Sequence, residues 1–257
     1  MSFAQIGRIR YLSLPASVSM GDDWYSVANL EHFWTQRRFE VLRGMIGNLI
    51  PEASAMAEIG CGHGLLQRQI EDFYNREVTG FDLNELALQQ TVSRTSPVCC
   101  YDLLQKTPEY EKRFDLIFLC DVLEHVDDEN SFIKAAQFHL APGGKILVNV
   151  PAMPSMYSKF DQAVGHFRRY RIESLRRVVQ DTGMTVAAWC YWGLPLTPLL
   201  VLRKLWLARL AKERIVSTGF GSRGPVINRL LLSLSRCEPF PQRMLGAALM
   251  AVLEKPA

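Results

Sequence analysis

A chain of 257 residues, 48% of them hydrophobic, is long enough for one large α/β domain with an appendage and has the make-up of an ordinary globular protein. Net charge is only +3, but residues 201–257 carry ten Lys/Arg against three Asp/Glu and leave the first 200 residues at −4, so a basic, Leu-rich tail on an acidic body points to an anionic surface or substrate. Arg8 and Arg10 break the first apolar run, which argues against a secretory leader, and Leu194 to Leu202 falls short of the ~20 residues that cross a bilayer, so a cytoplasmic protein with at most an interfacial helix is expected.

In chain order, residues 22–50 place Trp24, Tyr25, Phe33, Trp34, Phe39, Leu42, Ile46 and Ile50 among charges, a pattern for one or two amphipathic helices. The segment 1–50 is expected to form a helical lid, with Trp24, His32, Phe33 and Trp34 over an acceptor pocket. From 55 to 193, apolar β-rich runs alternate with helical patterns, the signature of βαβ units around a parallel sheet. Strands are predicted at 55–60, 77–82, 97–101, 114–120, 144–150 and 184–192, with helices at about 64–74, 84–94, 129–140 and 172–182. Asp127 or Asp128 offers an N-cap to the third helix, Gly183 a C-cap to the fourth, and Pro142-Gly143-Gly144 a turn before the fifth strand. Beyond them, 196–212 and 225–236 read as Leu-rich helices and Ala247 to Leu253 as a last strand that inserts antiparallel. The six cysteines, Cys61, Cys99, Cys100, Cys120, Cys190 and Cys237, lack metal-ligand spacing and read mostly as small buried hydrophobes in a reducing compartment; no metal is expected.

Chemistry concentrates in residues 57–64, Ala-Glu-Ile-Gly-Cys-Gly-His-Gly, where a strand becomes a helix. A dinucleotide fingerprint needs G-x-G-x-x-G with pyrophosphate on the helix N-terminus. Here the spacing is G-x-G-x-G, and Glu58 precedes it by two residues. That carboxylate repels pyrophosphate and attracts the ammonium of an amino acid, so a cofactor with a methionine moiety is favoured. Asp82 closes the second strand, where an acid accepts both hydrogen bonds of a ribose diol, and Asp102 closes the third, where an acid can accept from an adenine amino group. Three acids at three successive strand ends line the edge at which open α/β sheets bind ligands.

Glu58 to Gly64, Asp82, Asp102, Phe114-Asp115-Leu116-Ile117 running into Asp121-Val122-Leu123-Glu124-His125-Val126, and Leu140-Ala141-Pro142-Gly143-Gly144 together resemble a class I S-adenosylmethionine-dependent methyltransferase over about residues 30 to 193. Within that superfamily the chain is similar to the small-molecule branch that includes quinone-biosynthesis methyltransferases. Glu31-His32-Phe33-Trp34 with Arg37, and Asp161-x-x-x-Gly165-His166-x-Arg168-Arg169-Tyr170, resemble a bacterial subgroup met among glycan and lipid biosynthesis enzymes. The resemblance implies a Rossmann-like doubly wound α/β fold: a mostly parallel seven-stranded sheet with an antiparallel last strand, N-terminal helices, and a helical insertion before that strand. It divides the chain into the lid 1–50, an S-adenosylmethionine-binding core 51–193 and closing helices with a strand, 194–257. It also implies that Glu58, Gly60 and Gly62 hold the methionine part, Asp82 the ribose and Asp102 the adenine, with Cys61, Gly64, Leu83 and Leu103 as further cofactor-binding residues. Asp121 then lies near the methyl group. Cys120-Asp121-Val122-Leu123 departs from the Asn/Asp-Pro-Pro-aromatic motif of enzymes that methylate planar amino groups, so nucleic acid is not expected as a partner.

For the acceptor, His166 is the leading candidate for a base, and His125 the second, with a place in the pocket wall. Arg168, Arg169 and Tyr170 offer contacts to a carboxylate, phosphate or sugar, and Trp34 an apolar wall. Leu199, Leu202, Leu205 and Trp206 beside Arg203, Lys204 and Arg209 form a candidate membrane-contacting helix. The expectation is methyl transfer from S-adenosylmethionine to a small-molecule, lipid-linked or glycosidic acceptor, with oxygen as the expected methyl acceptor atom. The rivals are a non-catalytic adenosyl-binding or assembly protein and a nicotinamide oxidoreductase, the latter opposed by the glycine spacing.

Overall fold

A computed structural model describes residues 5–16, 28–207 and 224–255. Trp24, Tyr25, Arg209 and the end of the helix expected over 196–212 lie outside the described residues. The strands are β1 (Gln5–Ile6), β2 (Ile9–Tyr11), β3 (Met56–Ile59), β4 (Thr79–Asp82), β5 (Val98–Cys100), β6 (Phe114–Cys120), β7 (Leu140–Pro151), β8 (Thr185–Trp192) and β9 (Ala248–Glu254). The helices are α1 (Phe33–Ile46), α2 (Leu49–Glu52), α3 (Leu65–Tyr74), α4 (Glu85–Gln89), α5 (Glu129–His139), α6 (Lys159–Ala163), α7 (Ile172–Gln180), α8 (Thr197–Leu207) and α9 (Pro225–Ser235).

The strands join one sheet in the order β1-β2-β5-β4-β3-β6-β7-β9-β8. Pairing is parallel from β2 through β7, and β9 inserts antiparallel to both β7 and β8. The chain steps outward from β3 to β5 and returns to β6 beside β3, so the crevice where strand order reverses opens at the carboxyl ends of β3 and β6.

Successive side chains of a strand face opposite ways, so strands covered on both faces must be apolar throughout. Along β6, Ile117 and Leu119 enter one core while Leu116, Phe118 and Cys120 enter the other; along β9, Leu249, Ala251 and Leu253 alternate with Ala248, Met250 and Val252 in the same way. The first core is closed by Ile133 and Ala136 of α5 and Leu175 and Val179 of α7, the second by Leu42 and Ile46 of α1 and Leu66 and Ile70 of α3. This is the doubly wound Rossmann-like arrangement.

The structure corrects three expectations. The described residues of 1–50 do not form a helical lid: β1 and β2 form a hairpin that extends the sheet beside β5, and α1 is a core helix in which Val41 and Leu42 are fully buried. Arg8 fixes the hairpin by donating to the carbonyls of Ser93 and Ser96, and the sheet has nine strands in place of seven. The helix expected over 84–94 stops at Gln89, because hydroxyl side chains bond the local backbone there: Thr91 Oγ1 accepts from Ser93 N–H, and Ser93 Oγ donates to the Ser96 carbonyl. The turn expected at Pro142-Gly143-Gly144 is present as a bulge inside β7: Gly143 has φ 76°, Leu140 pairs with Phe114, and continuous pairing with β6 resumes at Lys145.

The closing section folds back on the body. Asn228 of α9 accepts from Phe33 N–H at 2.8 Å, and the buried Glu238 carboxylate accepts from Arg37 and from the backbone of Gly193 and Leu194. In α8, Leu207 packs with Phe160 and Val164.

Candidate active site

β3 delivers Glu58 to the sheet's carboxyl edge, and the chain then turns through Gly60, Gly62 and Gly64, with φ of 73°, 54° and 80°. The amides of Gly60 and Cys61 both donate to the Phe81 carbonyl, at 2.7 and 3.1 Å, tying the loop to β4. A Cβ on Gly60 would lie 2.5 Å from Val122 Cγ2, so the loop passes directly against the segment that follows β6, and only glycine meets both demands. Cys61 is buried, and burial raises its thiol well above the ordinary range.

Glu58 is 3% exposed, and its Oε2 finds no hydrogen-bond partner among the described residues. Burial pushes its carboxyl up to about 8, with Arg38 opposing the rise and Asp82 and Asp121 adding to it. Asp82 closes the loop: its Oδ2 accepts from Gly62 N–H at 2.7 Å and its Oδ1 from Asn84 N–H at 2.8 Å. Burial raises its carboxyl despite these donors. Asp102 caps the turn after β5 by accepting from Leu104 N–H, and its own amide donates to Ser13 Oγ at 2.8 Å. Leu103 is buried in the core, while Leu83 is half-buried and its carbonyl accepts from Ala16 N–H. Residues 12–16 thus run along the ends of β4 and β5 as a strap that the sequence pattern did not announce.

Asp121 takes a left-handed conformation, φ 59°, at the end of β6. Its Oδ2 accepts from Arg38 at 2.7 Å and its Oδ1 from Asn149 Nδ2 at 2.7 Å; Asn149 Oδ1 in turn accepts from the Trp192 indole at 2.9 Å. Burial opposes the charge on Arg38, yet Asp121 holds its guanidinium ionised. With both oxygens engaged, Asp121 anchors Arg38 and Asn149 at the end of β6. Trp34 packs against Trp192 beside this pair, with ring centroids 4.4 Å apart and the rings tilted by 40°. Arg38, Asn149 and Trp192 escaped the sequence reading, although an asparagine inside the run Ile146 to Val150 was a signal that something polar must meet it.

His166 lies beside Glu124 and His125. Its Nδ1 is 3.1 Å from Asp161 Oδ1, its Nε2 is 3.9 Å from Glu124 Oε1, and its ring meets the His125 ring edge to face at 4.7 Å. Burial alone would raise the Asp161 carboxyl, but hydrogen bonds from His166 and Arg169 bring it down to about 2. An ionised carboxylate only accepts, so Nδ1 of His166 carries the proton and Nε2 is directed toward Glu124. Burial, with His166 alongside, lowers His125 to about 3, and burial with Asp121 nearby raises Glu124 well above the usual carboxylate range.

Two residues expected at the acceptor are turned inward. Arg169 is buried, donating to Asp161 at 2.7 Å and to the Ala152 carbonyl at 3.1 Å; Tyr170 is 1% exposed, with its hydroxyl donating to Glu129. Arg169 supplies a donor that the buried Asp161 carboxylate needs, and Tyr170 N–H ties the segment to the Pro151 carbonyl at the end of β7. Arg168 stays partly exposed, paired with Glu129 and the Asp127 carbonyl.

Residues 25–188 match the family described as "Methyltransferase domain". A ubiquinone biosynthesis O-methyltransferase of Pseudomonas syringae pv. tomato is 30% identical over 46% of this chain and 57% of its own length. A tRNA U34 carboxymethyltransferase of Campylobacter curvus is 28% identical over 38% of this chain and 35% of its own length. The chain thus spans about half or less of the length of the curated relatives it matches. The crystal structure of a SAM-dependent methyltransferase from Archaeoglobus fulgidus shares the fold with a TM-score of 0.51 at 18% identity, over 84% of this chain and 94% of the other.

Proposed function

The chain belongs to the methyltransferase-domain family, and from that premise we propose that it transfers the methyl group of S-adenosylmethionine to an oxygen of a small, lipid-linked or glycosidic acceptor. One observation carries the reading: Glu58, buried with an unpaired carboxyl oxygen, stands at the head of a glycine turn that excludes side chains. The free Glu58 oxygen lacks a hydrogen-bond donor among the described residues, and the ammonium of the methionine moiety is a charged one. Glu58, Gly60, Cys61, Gly62 and Gly64 take this end of the donor, Asp82 and Leu83 the ribose, and Asp102 and Leu103 the adenine. When bound, S-adenosylmethionine supplies an electrophilic methyl that needs no further activation. The residues of this chain therefore chiefly orient the acceptor and exclude water, which can contribute several kcal/mol.

Arg38 and Asp121 hold the wall beside the donor, and the cluster around His166 promotes loss of the proton from the acceptor hydroxyl. Arg168 is the basic side chain of its segment left to meet an anionic part of the acceptor. The relative named as a ubiquinone biosynthesis O-methyltransferase supports transfer to an oxygen of a small-molecule acceptor. No helix among the described residues is long and apolar enough to cross a membrane. However, Leu202, Leu205 and Trp206 of α8 and Val226 and Leu230 of α9 are exposed, with Arg203 and Lys204 alongside. Burying such side chains is worth about 1.5–3 kcal/mol each, enough for reversible contact with the inner face of an anionic membrane.

The test is S-adenosylhomocysteine release with S-adenosylmethionine and a panel of phenolic, lipid-linked, glycosidic and tRNA acceptors. Release with a hydroxyl acceptor supports the reading; release with tRNA alone, or none with any acceptor, contradicts it. Flotation with anionic vesicles tests membrane contact, and failure to float counts against it.

A further inference from the structure

Three side chains after β6 converge in a way that the donor site does not require. One ligand-capable atom from each of Glu124, His125 and His166 lies within 4.8 Å of the other two. Glu124 is 1% exposed, and its Oε2 has no hydrogen-bond partner among the described residues. A carboxyl oxygen buried without a partner is costly, and a cation beside it removes that cost.

Both imidazoles are held from behind. His166 Nδ1 is 3.1 Å from Asp161, whose carboxylate is itself fixed by Arg169 and by the backbone and hydroxyl of Ser158. His125 hydrogen-bonds the backbone of Gly165. A carboxylate or carbonyl behind each ring is the outer shell that orients metal-binding histidines. Two imidazoles and one carboxylate suit Zn²⁺ or Fe²⁺ and leave coordination positions open. Bonds of about 2.0–2.2 Å to the metal bring ligands to about 3–3.5 Å from one another, so atoms now within 4.8 Å of each other need to draw in by at most about 1.3–1.8 Å.

We propose that Glu124, His125 and His166 bind one divalent transition-metal cation, best matched by Zn²⁺, with an open position for the hydroxyl oxygen of the acceptor. The second half of this statement rests on the O-methylation reading; the first does not. A cation lowers the pKa of a hydroxyl it touches, so the acceptor loses its O–H proton to solvent near neutral pH. The oxygen lone pair then forms the O–CH₃ bond while the S–CH₃ bond breaks, its electrons remaining on sulfur as the thioether. His166 is in this account a ligand and not a free base.

The experiment is calorimetric titration of ZnCl₂ into the chelator-stripped full chain, repeated with Co²⁺ followed by its visible absorption. It is run on the wild type and on Cys237→Ser, which removes the exposed thiol. About one Zn²⁺ per chain is expected, with affinity reduced about 100-fold or more in Glu124→Gln and His166→Ala. Glu124→Gln keeps the side chain's shape, so it decides the matter if His166→Ala fails to fold. Absence of saturable binding, or unchanged affinity in Glu124→Gln, overturns the site. If Zn²⁺ binds but stripped enzyme methylates a hydroxyl acceptor at the full rate, the open-position claim is overturned. S-adenosylhomocysteine binding without Zn²⁺ binding leaves the methyl-transfer reading standing while the metal site fails.

Discussion

Replacing Glu58 by glutamine separates what this residue costs the fold from what it does for the donor. Its carboxyl is raised from 4.5 to about 8 by burial, so the folded chain keeps a proton that the unfolded chain releases. Such a group destabilises the fold progressively as pH climbs from about 4.5 to about 8, at about 1.36 kcal/mol for each pH unit. The accumulated cost is on the order of 3 kcal/mol at pH 7 and 4–5 kcal/mol above pH 8. Urea denaturation at pH 5, 7 and 8.5 should show the ligand-free Glu58→Gln protein gaining on the wild type as pH rises. The same variant should bind S-adenosylhomocysteine about tenfold more weakly or worse, because the ammonium loses its counter-charge, a loss of ~1.4 kcal/mol or more. Wild-type and variant stabilities that run parallel across pH would refute the burial argument, and an undiminished affinity would refute the assignment of Glu58 to the amino group.

Other substitutions probe the remaining parts. Leu42→Ala, at a fully buried position of α1, should cost about 2–5 kcal/mol in urea denaturation; a loss below ~1 kcal/mol would restore α1 as a detachable lid. Gly60→Ala forces a side chain into φ 73° and onto Val122, and should cost about 1–3 kcal/mol and abolish donor binding by calorimetry; wild-type binding would show that the turn is not a cradle. His166→Ala should lower turnover about 10²–10⁴-fold while S-adenosylhomocysteine affinity is unchanged, and equal losses in both would make the residue structural.

The doubly wound core was legible because its strands are buried on both faces. β6 was placed at its observed bounds, and β9 within a residue, from continuous apolar runs. The glycine turn with Glu58 was legible because its spacing is local, and Asp82 because it ends the short apolar run of β4. The hairpin β1–β2 was not, since it is an edge of five paired residues held by Arg8 reaching across to Ser93 and Ser96. The acceptor side was read least well. Arg169 and Tyr170 looked like surface hydrogen bonders, but the neighbours that draw them inward, Asp161, Ala152 and Glu129, are revealed only by the fold. The same holds for Arg38, which reaches Asp121 from a helix 83 positions earlier in the chain.

The account stands most directly on titration of S-adenosylhomocysteine into the wild type and Asp82→Ala, followed by calorimetry. Asp82 accepts from the Gly62 amide and holds the glycine turn to β4 at the place assigned to the ribose. A single saturable site in the wild type, weakened about tenfold or more in Asp82→Ala, is the predicted result. No binding by the wild type, or equal affinity in both proteins, would contradict it.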